Sequence, residues 1–416
     1  MRVLFIGPVP HLGAGCRARI EQYLPYLKAV GIEGRVRPFM TNRMLQIAYQ
    51  PGRWAEKAWW VLVCGVNRML DVVRAVRYDA VFIYREAAPL GPPLVEWIIA
   101  RMGKPIVYDI DDAIHLPSPT TSGGRGWLRG VKCYWKVPAI IRMSRVVVVC
   151  NDYLQDYVRT IHDRVVMIPT PVETTYFTPR RDPPVQNVTC EGGVAAKSAV
   201  GSVADEAEHD GQPSRPVIGW MGTHSTAVYL EQIVPVLQRL ASRHDFELCV
   251  IGAGRRFDAP GLRVVQRDWA LEHEVGDLQR FDVGVYPLGN HEFDKGKTGY
   301  KTVQYLAVGV PAVVSDFGRN REIIRDGENG FLAGSDAEWE EKLEQLLVDR
   351  SLRERMALAG RRTVEERFAT YVHAPAMIAV LRAAVERRLA SASEDGDARE
   401  ASRLTRDSLR QWSLTP

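Results

Sequence analysis

The chain has 416 residues, of which 46% are apolar, so it is long enough for two domains that each bury a core. Its formal net charge of +4 is too small to demand a nucleic-acid or membrane partner, and its six scattered cysteines favour neither a metal cluster nor a disulfide framework. The longest apolar runs are too short for a signal-peptide core or a membrane span, so we expect neither.

Short β-branched runs alternate with helical patterns along the first part of the chain. The runs are 2–7, 79–83, 105–110, 146–150 and 165–169. Continuous apolar runs between helices predict parallel strands that are buried on both faces. We therefore expect residues 1–179 to form an α/β domain.

A glycine-rich turn, Gly13-Ala14-Gly15, follows the first strand and opens a helix. Such a turn lets the backbone approach a phosphate closely. A dinucleotide fingerprint would need its glycines directly after the strand and an acidic residue at the end of the next strand, and the sequence has neither. The turn is either a ligand-facing loop or an ordinary glycine-rich turn.

Acidic residues close two strands of the first half. Asp109, Asp111 and Asp112 lie at the end of the run 105–110, and Arg85-Glu86 ends the preceding run. Residues at the carboxyl ends of parallel strands line the crevice where ligands bind. Three interpretations remain open for Asp111, namely a metal ligand, a substrate-binding group or a helix cap. Glu86 either orients the same substrate or pairs with a neighbouring charge.

Basic and aromatic residues interleave from Arg125 to Lys136. Such a stretch can lie on an anionic membrane surface. It is equally typical of an amphipathic helix with a solvated basic face. We consider a peripheral membrane contact through 125–145 alongside this simpler interpretation.

Beyond Arg180 the pattern changes. Residues 180–215 are rich in small and charged residues and predict a flexible linker or insertion. Alternation resumes at Pro216 and predicts a second α/β domain over 216–367. Residues 338–389 have a helical pattern with a break near Phe368, and 391–416 form a polar tail.

Two loops of the second half have the composition of anion sites. In Gly222-Thr223-His224-Ser225-Thr226, Thr223 or Ser225 is placed to cap the next helix while free N–H groups bind the anion. The second loop, GKTGYK from Gly296, opens a helix whose N-terminus and two lysines favour a diphosphate. The spacing puts Lys301 and Gln304 on one helical face.

The second loop belongs to a longer pattern, which continues through Gly309-Val310-Pro311, Gly318 and Glu322 to the sequence DGENGF at 326–331. It resembles the donor-nucleotide segment of retaining glycosyltransferases of family 4, where a Glu(x7)Glu loop and helix precede a Gly-x-Pro turn. Gly296 and Gln304 replace the two glutamates. The Gly-Tyr-Lys and Gln-Tyr variant is similar to a branch of that family.

This resemblance implies a GT-B fold, in which two Rossmann-like domains face each other across a cleft. The acceptor side would be 1–179, the nucleotide-sugar side 216–367, and a last helix at 368–390 would cross back to the first domain. Two similar halves disfavour a metal-binding Asp-x-Asp of the GT-A type at Asp111.

The resemblance also implies roles for individual residues. Lys301 would stabilise the leaving diphosphate, Gln304 would bind the ribose, and Asp111, with Glu86 beside it, would bind the acceptor. Family members carry an Arg and a Lys after the first loop, and this chain lacks both there, so its lysines must supply the charge. The remaining donor contacts would be Gly15, Gly222, Thr223, Arg267, Trp269, Lys297, Gly299 and Tyr300. Trp269 would cover the base or simply pack between domains, and Lys297 has a solvated position as its alternative.

The implied function is that of a retaining hexosyltransferase. It would move a sugar from a nucleotide diphosphate sugar to a hydroxyl acceptor, which could be a saccharide, a lipid-linked molecule or a small molecule. No metal or other cofactor and no nucleic acid are expected. We expect a cytoplasmic protein, with a peripheral position at the inner membrane face as its variant. Two alternatives stay open, a non-catalytic nucleotide-sugar-binding protein on the same fold and a nucleotide-sugar epimerase.

Overall fold

The computed structural model of the chain describes residues 1–48, 50, 52–119, 132–180 and 215–386. A six-stranded parallel sheet forms the centre of the first half. Its strands are β1 (Arg2–Gly7), β2 (Glu33–Pro38), β3 (Ala80–Tyr84), β4 (Ile106–Ile110), β5 (Val146–Val149) and β6 (Val165–Met167). Their order is β2-β1-β3-β4-β5-β6. The central strands are unbroken apolar runs because helices cover both faces of the sheet.

Seven α-helices of the described first half pack around this sheet. They are α1 (Ala14–Arg19), α2 (Leu24–Ala29), α3 (Asn42–Ala48), α4 (Trp54–Arg74), α5 (Leu94–Arg101), α6 (Lys136–Met143) and α7 (Asp152–Arg159). The Asn151 side chain caps α7 by accepting a hydrogen bond from the Leu154 N–H at 2.9 Å. This cap fixes the point at which the chain leaves β5 and turns into the helix.

The second half repeats the plan with another six-stranded parallel sheet. Its strands are β7 (Val217–Met221), β8 (Glu247–Ile251), β9 (Val264–Arg267), β10 (Val283–Tyr286), β11 (Ala312–Ser315) and β12 (Phe331–Ala333), in the order β12-β11-β10-β7-β8-β9. Its helices are α8 (Ala227–Gln232), α9 (Val234–Ala241), α10 (Glu274–Gln279), α11 (Glu292–Lys295), α12 (Tyr300–Ala307), α13 (Asn320–Ile323), α14 (Asp336–Val348) and α15 (Arg350–Arg367). The predicted two-domain α/β fold is confirmed.

The C-terminal helical region has one more break than its sequence pattern predicts. The chain leaves the helical conformation at Asp349 as well as near Phe368. The Asp349 side chain accepts a hydrogen bond from the Leu352 N–H at 2.9 Å and so begins α15. An aspartate that can cap a new helix competes with continuation of the old one.

The two halves are joined at a crossing point. Val172 and Ala369 form a short parallel bridge, and α16 (Thr370–Val385) follows it. Met377 and Leu381 of this helix are buried in the same core as Val3 of β1. The last described helix therefore packs on the first domain.

Several predicted segments fall outside the described residues, namely 181–214 of the linker, 125–131 of the basic and aromatic stretch, 387–390 of the crossing helix and the tail at 391–416. Among the helices that are described, none combines the length and the apolar character needed to cross a bilayer.

Candidate functional site

The carboxyl ends of the two sheets meet in a cleft, where four loops contact one another. Asn151, after β5, donates from its side chain to the carbonyls of Lys295 and Lys297 at 3.3 and 3.2 Å. Lys297 lies 3.6 Å from the Asp112 carboxylate, and Arg17 forms a salt bridge with Glu274 at 2.8 Å. Loops at the carboxyl ends of parallel strands are where α/β proteins bind ligands, so this cleft is the candidate site.

Lys301 lies at the start of α12, facing the first loop of the second domain. Its ammonium group is 4.9 Å from the Trp220 ring centre, 5.1 Å from that of Tyr286, and donates to the Thr226 hydroxyl at 3.3 Å. Burial, with a smaller effect of Lys297, lowers the pKa of Lys301 from its ordinary value to about 7. In the described part of the chain no carboxylate lies within ion-pair distance of it. The site thus holds a cation that lacks a counter-charge.

The loop opposite Lys301 is shaped by Gly222. A Cβ at Gly222 would lie 2.3 Å from the Trp220 ring and 2.9 Å from the Lys301 ammonium, so only glycine fits. The prediction that Thr223 or Ser225 caps the next helix is wrong. α8 begins after Thr226, whose hydroxyl accepts instead from the Thr223 N–H at 3.1 Å. The Thr223 and Ser225 hydroxyls, 3.0 Å apart, hydrogen-bond to each other at the surface of the cleft.

Gly296 and Gly299 fit their positions for different reasons. A Cβ at Gly296 would lie 2.6 Å from the Ala113 backbone N, so the glycine allows the two domains to approach. Gly299 has φ of 68°, in the left-handed region, directly before Tyr300 at the start of α12. Lys297 is not simply solvated. It lies between Asp112 and the Phe293 ring, whose centre is 4.8 Å away.

Glu274 is a residue of the cleft that sequence reasoning missed. Its buried carboxylate accepts from both Arg17 of the first domain and the side chains of Trp269 and Gln304 of the second. Burial raises the pKa of Glu274 despite the lowering effect of Arg17. The Arg17 guanidinium also lies 5.4 Å from the centre of the Trp269 ring. Gln304, 5% exposed, is therefore part of a network rather than an isolated amide.

Arg267, predicted in the same loop, points elsewhere. Its guanidinium lies 3.2 Å from Asp277, and more than a third of the side chain is exposed. The pair holds the end of β9 against α10. Trp269, in contrast, is partly buried against the core of the second domain, so packing accounts for one face of its ring.

On the acceptor side, Asp111 is held by two neighbours. Arg85 donates to Oδ1 at 2.5 Å, and the Tyr84 hydroxyl donates to Oδ2 at 2.7 Å. Burial raises the pKa of Asp111, but the Arg85 guanidinium outweighs it and leaves the pKa below its usual value. Arg85 has a φ of 58°, in the left-handed region, and in this conformation its side chain pairs with Asp111. No described helix begins between Asp111 and Pro119, which rules out helix capping there.

Glu86 does not share the Asp111 site. It pairs with the buried Lys136 at 2.7 Å, as the alternative interpretation of its charge expected. Asp109 is bound by Arg19 at 2.5 Å, and both side chains are fully buried. In the described residues no group of three or more His, Cys, Asp or Glu side chains is arranged to hold a metal ion.

Gly15 lies against the Asp111 cluster. A Cβ there would be 2.1 Å from the Tyr84 hydroxyl oxygen, so the glycine lets α1 approach the residue that positions Asp111. This packing requirement explains the glycine whether or not a phosphate faces it.

A second unsatisfied group lies beside the cleft. Asp294 is fully buried, its Oδ1 accepts from the Tyr229 hydroxyl at 2.7 Å, and its Oδ2 has no hydrogen-bond partner among the described residues. Burial raises the pKa of Asp294. Tyr229 also lines a cavity of about 570 Å³, with His224, Ser225, Arg255, His291 and, from the first domain, Pro119. No sequence motif pointed to Asp294.

Comparison with known proteins gives a family match in the second domain and a fold match over both domains. Residues 215–349 match the model of the family described as glycosyl transferases group 1. No curated protein matches the chain. Among solved structures, sucrose-phosphate synthase from Thermosynechococcus elongatus has 16% identity and a TM-score of 0.60, over 92% of this chain and 98% of that one.

Two further structures are similar over most of the chain. A glycosyltransferase from Rickettsia africae has 13% identity and a TM-score of 0.61, over 93% of this chain and 99% of that one. HepE from Anabaena, solved with UDP and glucose, has 14% identity and a TM-score of 0.55, over 92% of this chain and 100% of that one. The chain has the two-domain GT-B fold of these glycosyltransferases, and its second domain carries the match to glycosyl transferases group 1.

Proposed function

We propose that this chain is a retaining glycosyltransferase that moves a hexosyl residue from a nucleotide diphosphate sugar to a hydroxyl acceptor. The observation that carries the proposal is Lys301, a partly buried cation beside the rings of Trp220 and Tyr286 with no carboxylate partner in the described residues. Even partial burial of a cation without a counter-charge costs stability, and a diphosphate would reduce that cost. The match of residues 215–349 and the UDP complex of HepE support a nucleotide sugar as the ligand.

The proposed diphosphate lies between Gly222-Thr223 and the N-terminus of α12. Lys301 reaches it from one side, and the first backbone N–H groups of the helix point toward it. Lys297 adds a second cation, which Asp112 holds at the edge of the cleft. Negative charge on the diphosphate increases as the bond to the sugar breaks, so these groups bind the transition state more strongly than the substrate.

The nucleoside would occupy the network around Glu274. A ribose diol can donate two hydrogen bonds to a carboxylate, and Gln304 supplies an amide beside it. Arg17 now holds Glu274, so the nucleoside must displace this guanidinium or share the carboxylate with it. Trp269 would then present its ring to the base. This arrangement places a carboxylate near the ribose although position 304 is a glutamine.

The transfer needs no nucleophile from the protein. The bond between the anomeric carbon and the diphosphate oxygen breaks, and the acceptor oxygen forms its bond on the same face. The acceptor proton passes to the departing phosphate oxygen. Asp111, fixed by Arg85 and Tyr84, would orient the acceptor, and positioning rather than acid–base chemistry would supply most of the rate. Glu86 acts at most indirectly, through Lys136.

A non-catalytic binding protein is the second candidate, favoured by Gly296 and Gln304 at the two positions where the family has glutamates. Gly296 has a structural explanation in its contact with Ala113, and Glu274 provides a carboxylate beside Gln304. These two contacts leave the transferase as the better-supported function.

The test is titration calorimetry of the full-length chain with UDP-, GDP- and dTDP-sugars, with and without EDTA. We expect one of them to bind in both conditions, and Lys301→Ala to weaken binding. Lys295→Ala is the matched control because this lysine ends α11, just before the loop that leads to Lys301, but pairs with Glu292 at the surface. NMR of the product with an accepted hydroxyl compound then reports the anomeric configuration.

Three results would contradict the proposal. Equal losses in the Lys301 and Lys295 variants would remove Lys301 from the site. Binding of a nucleotide sugar without transfer to any acceptor would favour the non-catalytic alternative, and an epimerised donor would favour the epimerase.

A further inference from the structure

The outward face of α4 exposes a continuous row of apolar side chains. They recur at intervals of three and four residues, so they lie on one side of the helix. Their exposed fractions run from 46% to 68%. They are Trp59, Leu62, Val66, Met69, Leu70 and Val73, and we call them the α4 stripe.

The inward face of the same helix is polar in part. Cys64, Arg68, Asp71 and Val72 are buried, and Arg68 pairs with Asp71 at 3.2 Å. Arg68 also donates to the Gly7 carbonyl at the end of β1 at 3.1 Å. These contacts fix the rotation of the helix about its axis. The α4 stripe therefore cannot turn inward without breaking a buried ion pair.

Neighbouring helices also expose large apolar side chains. α5, which packs against α4, exposes Leu94 and Trp97, and Trp135 is exposed at the start of α6. Monomeric proteins rarely expose contiguous apolar patches of this kind unless they bind something. The surface lies outside the cleft and contains none of the residues placed at the nucleotide or acceptor.

The charges around the stripe favour an anionic partner. Exposed arginines form a basic rim at the two ends of the helix, with Arg53 just before its start, Arg74 at its last position and Arg77 in the turn that follows. Arg53 and Arg74 form ion pairs with the two acidic residues of the helix, but each acid is shared by more than one arginine, so positive charge is in excess. Glu56 pairs with Arg43 and Arg53, and Asp71 pairs with Arg37, Arg68 and Arg74. Tryptophans beside a basic rim are typical of a helix that lies in the membrane interface.

We propose that the α4 stripe is a membrane-contact surface on which the protein lies against an anionic bilayer. A helix of 21 residues is about 31 Å long and would rest in the interface with its apolar side toward the acyl chains. Its basic rim would contact the lipid phosphates. An acceptor carried on a membrane lipid would then be close to the cleft, although the contact itself does not depend on the proposed transfer reaction.

This surface differs from the segment 125–145 that was considered for a membrane contact from the sequence. In the described part of 125–145, α6 buries Val137, Ile140 and Ile141, and Lys136 is buried with them. The apolar side of α6 therefore packs into the core of the first domain. Only Trp135 contributes to the membrane-contact surface, and residues 125–131 lie outside the described chain.

The test is flotation of the full-length protein with phosphatidylglycerol–phosphatidylcholine vesicles and with phosphatidylcholine vesicles alone. We expect binding to the anionic vesicles, and a loss of roughly tenfold or more in the double variant Leu62→Glu, Val66→Glu. Both side chains are more than half exposed, so the fold should persist, and thermal unfolding checks this. Leu358→Glu is the matched control, an exposed leucine on α15 of the second domain.

Each outcome of the flotation experiment either supports or overturns the proposed membrane contact. A loss confined to the α4 variant supports it. Equal binding of the wild type and the α4 variant overturns it, as does a wild type that binds neither kind of vesicle. Sedimentation velocity without lipid tests the remaining possibility, which is that a second copy of the chain covers the stripe. A dimer that Leu62→Glu, Val66→Glu dissociates, in a protein that does not bind vesicles, would assign the stripe to a second copy of the chain.

Discussion

The two walls of the cleft differ in how their charges are satisfied. On the first domain, every carboxylate considered for the acceptor side has a cationic partner within the same domain. Asp111 is held by Arg85, Glu86 by Lys136, and Asp109 by Arg19. On the second domain, Lys301 has no carboxylate partner among the described residues, and Asp294 Oδ2 has no hydrogen-bond partner there.

This difference shows where a ligand gains most from binding. When a ligand replaces one partner of a satisfied ion pair, the interaction that is lost offsets the one that is gained, whereas a partly buried charge without a partner gains an interaction and loses none. We infer that the second domain supplies the binding energy and that the first domain supplies a rigid wall. The predictions below separate these two roles, in order of expected effect.

The largest effect is expected for Lys301→Ala in the transfer reaction. Removing one group that stabilises a developing charge lowers turnover by roughly a hundredfold or more. Steady-state kinetics with the donor identified by calorimetry measures it, with Lys295→Ala as the control. Normal turnover with only weaker donor binding would show that Lys301 does not stabilise the leaving group, and Lys297 would be tested next.

Asp111→Asn tests whether the first wall is held together by its own ion pair. The variant leaves Arg85 with only the more distant Asp112, at 3.4 Å, and should lower the free energy of unfolding by about 1–3 kcal/mol. Urea denaturation measures this. An unfolding free energy equal to that of the wild type would mean that the pair is not structural.

Unlike Asp111→Asn, Lys301→Met should stabilise the folded protein. Without ligand, the free energy of unfolding should rise by about 1–2 kcal/mol. The folded chain has the pKa of Lys301 at about 7, whereas the unfolded chain has it near 10.5, so the unfolded state binds more protons between these values. Wild-type stability therefore rises with pH across this window. The advantage of the variant should be full at pH 7 or below and vanish near pH 10.5, as urea denaturation at several pH values would show.

Much of the fold could be predicted from the sequence because buried parallel strands are unbroken apolar runs. The run 105–110 became β4, and 146–150 became β5, each within a residue. The loop-to-helix pattern from Gly296 placed Lys301 on α12 in the same way. Local patterns predict elements well when one periodicity decides them.

The rest depends on contacts between distant parts of the chain. Glu274 is thirty residues from Gln304 in sequence, and no local pattern shows that Arg17 and Gln304 both reach it. The apolar run at 58–63 has the composition of a core segment, yet Trp59 and Leu62 are exposed because Arg68 and Asp71 occupy the inward face of α4. Which face of a helix is covered is a tertiary property.

The smallest effect concerns Gln304, which contacts the proposed nucleoside together with Glu274. A ribose contact changes little between the bound substrate and the transition state, so Gln304→Ala should raise KM a few-fold and leave kcat near the wild-type value. Glu274→Gln should raise KM further, because its carboxylate receives both Gln304 and Arg17.

The two variants and the wild type are then compared on a natural donor and on its 2′-deoxyribose analogue. If Glu274 binds the diol, the wild type prefers the natural donor and Glu274→Gln loses most of that preference, whereas a preference kept by Glu274→Gln and lost by Gln304→Ala would assign the ribose to Gln304 alone.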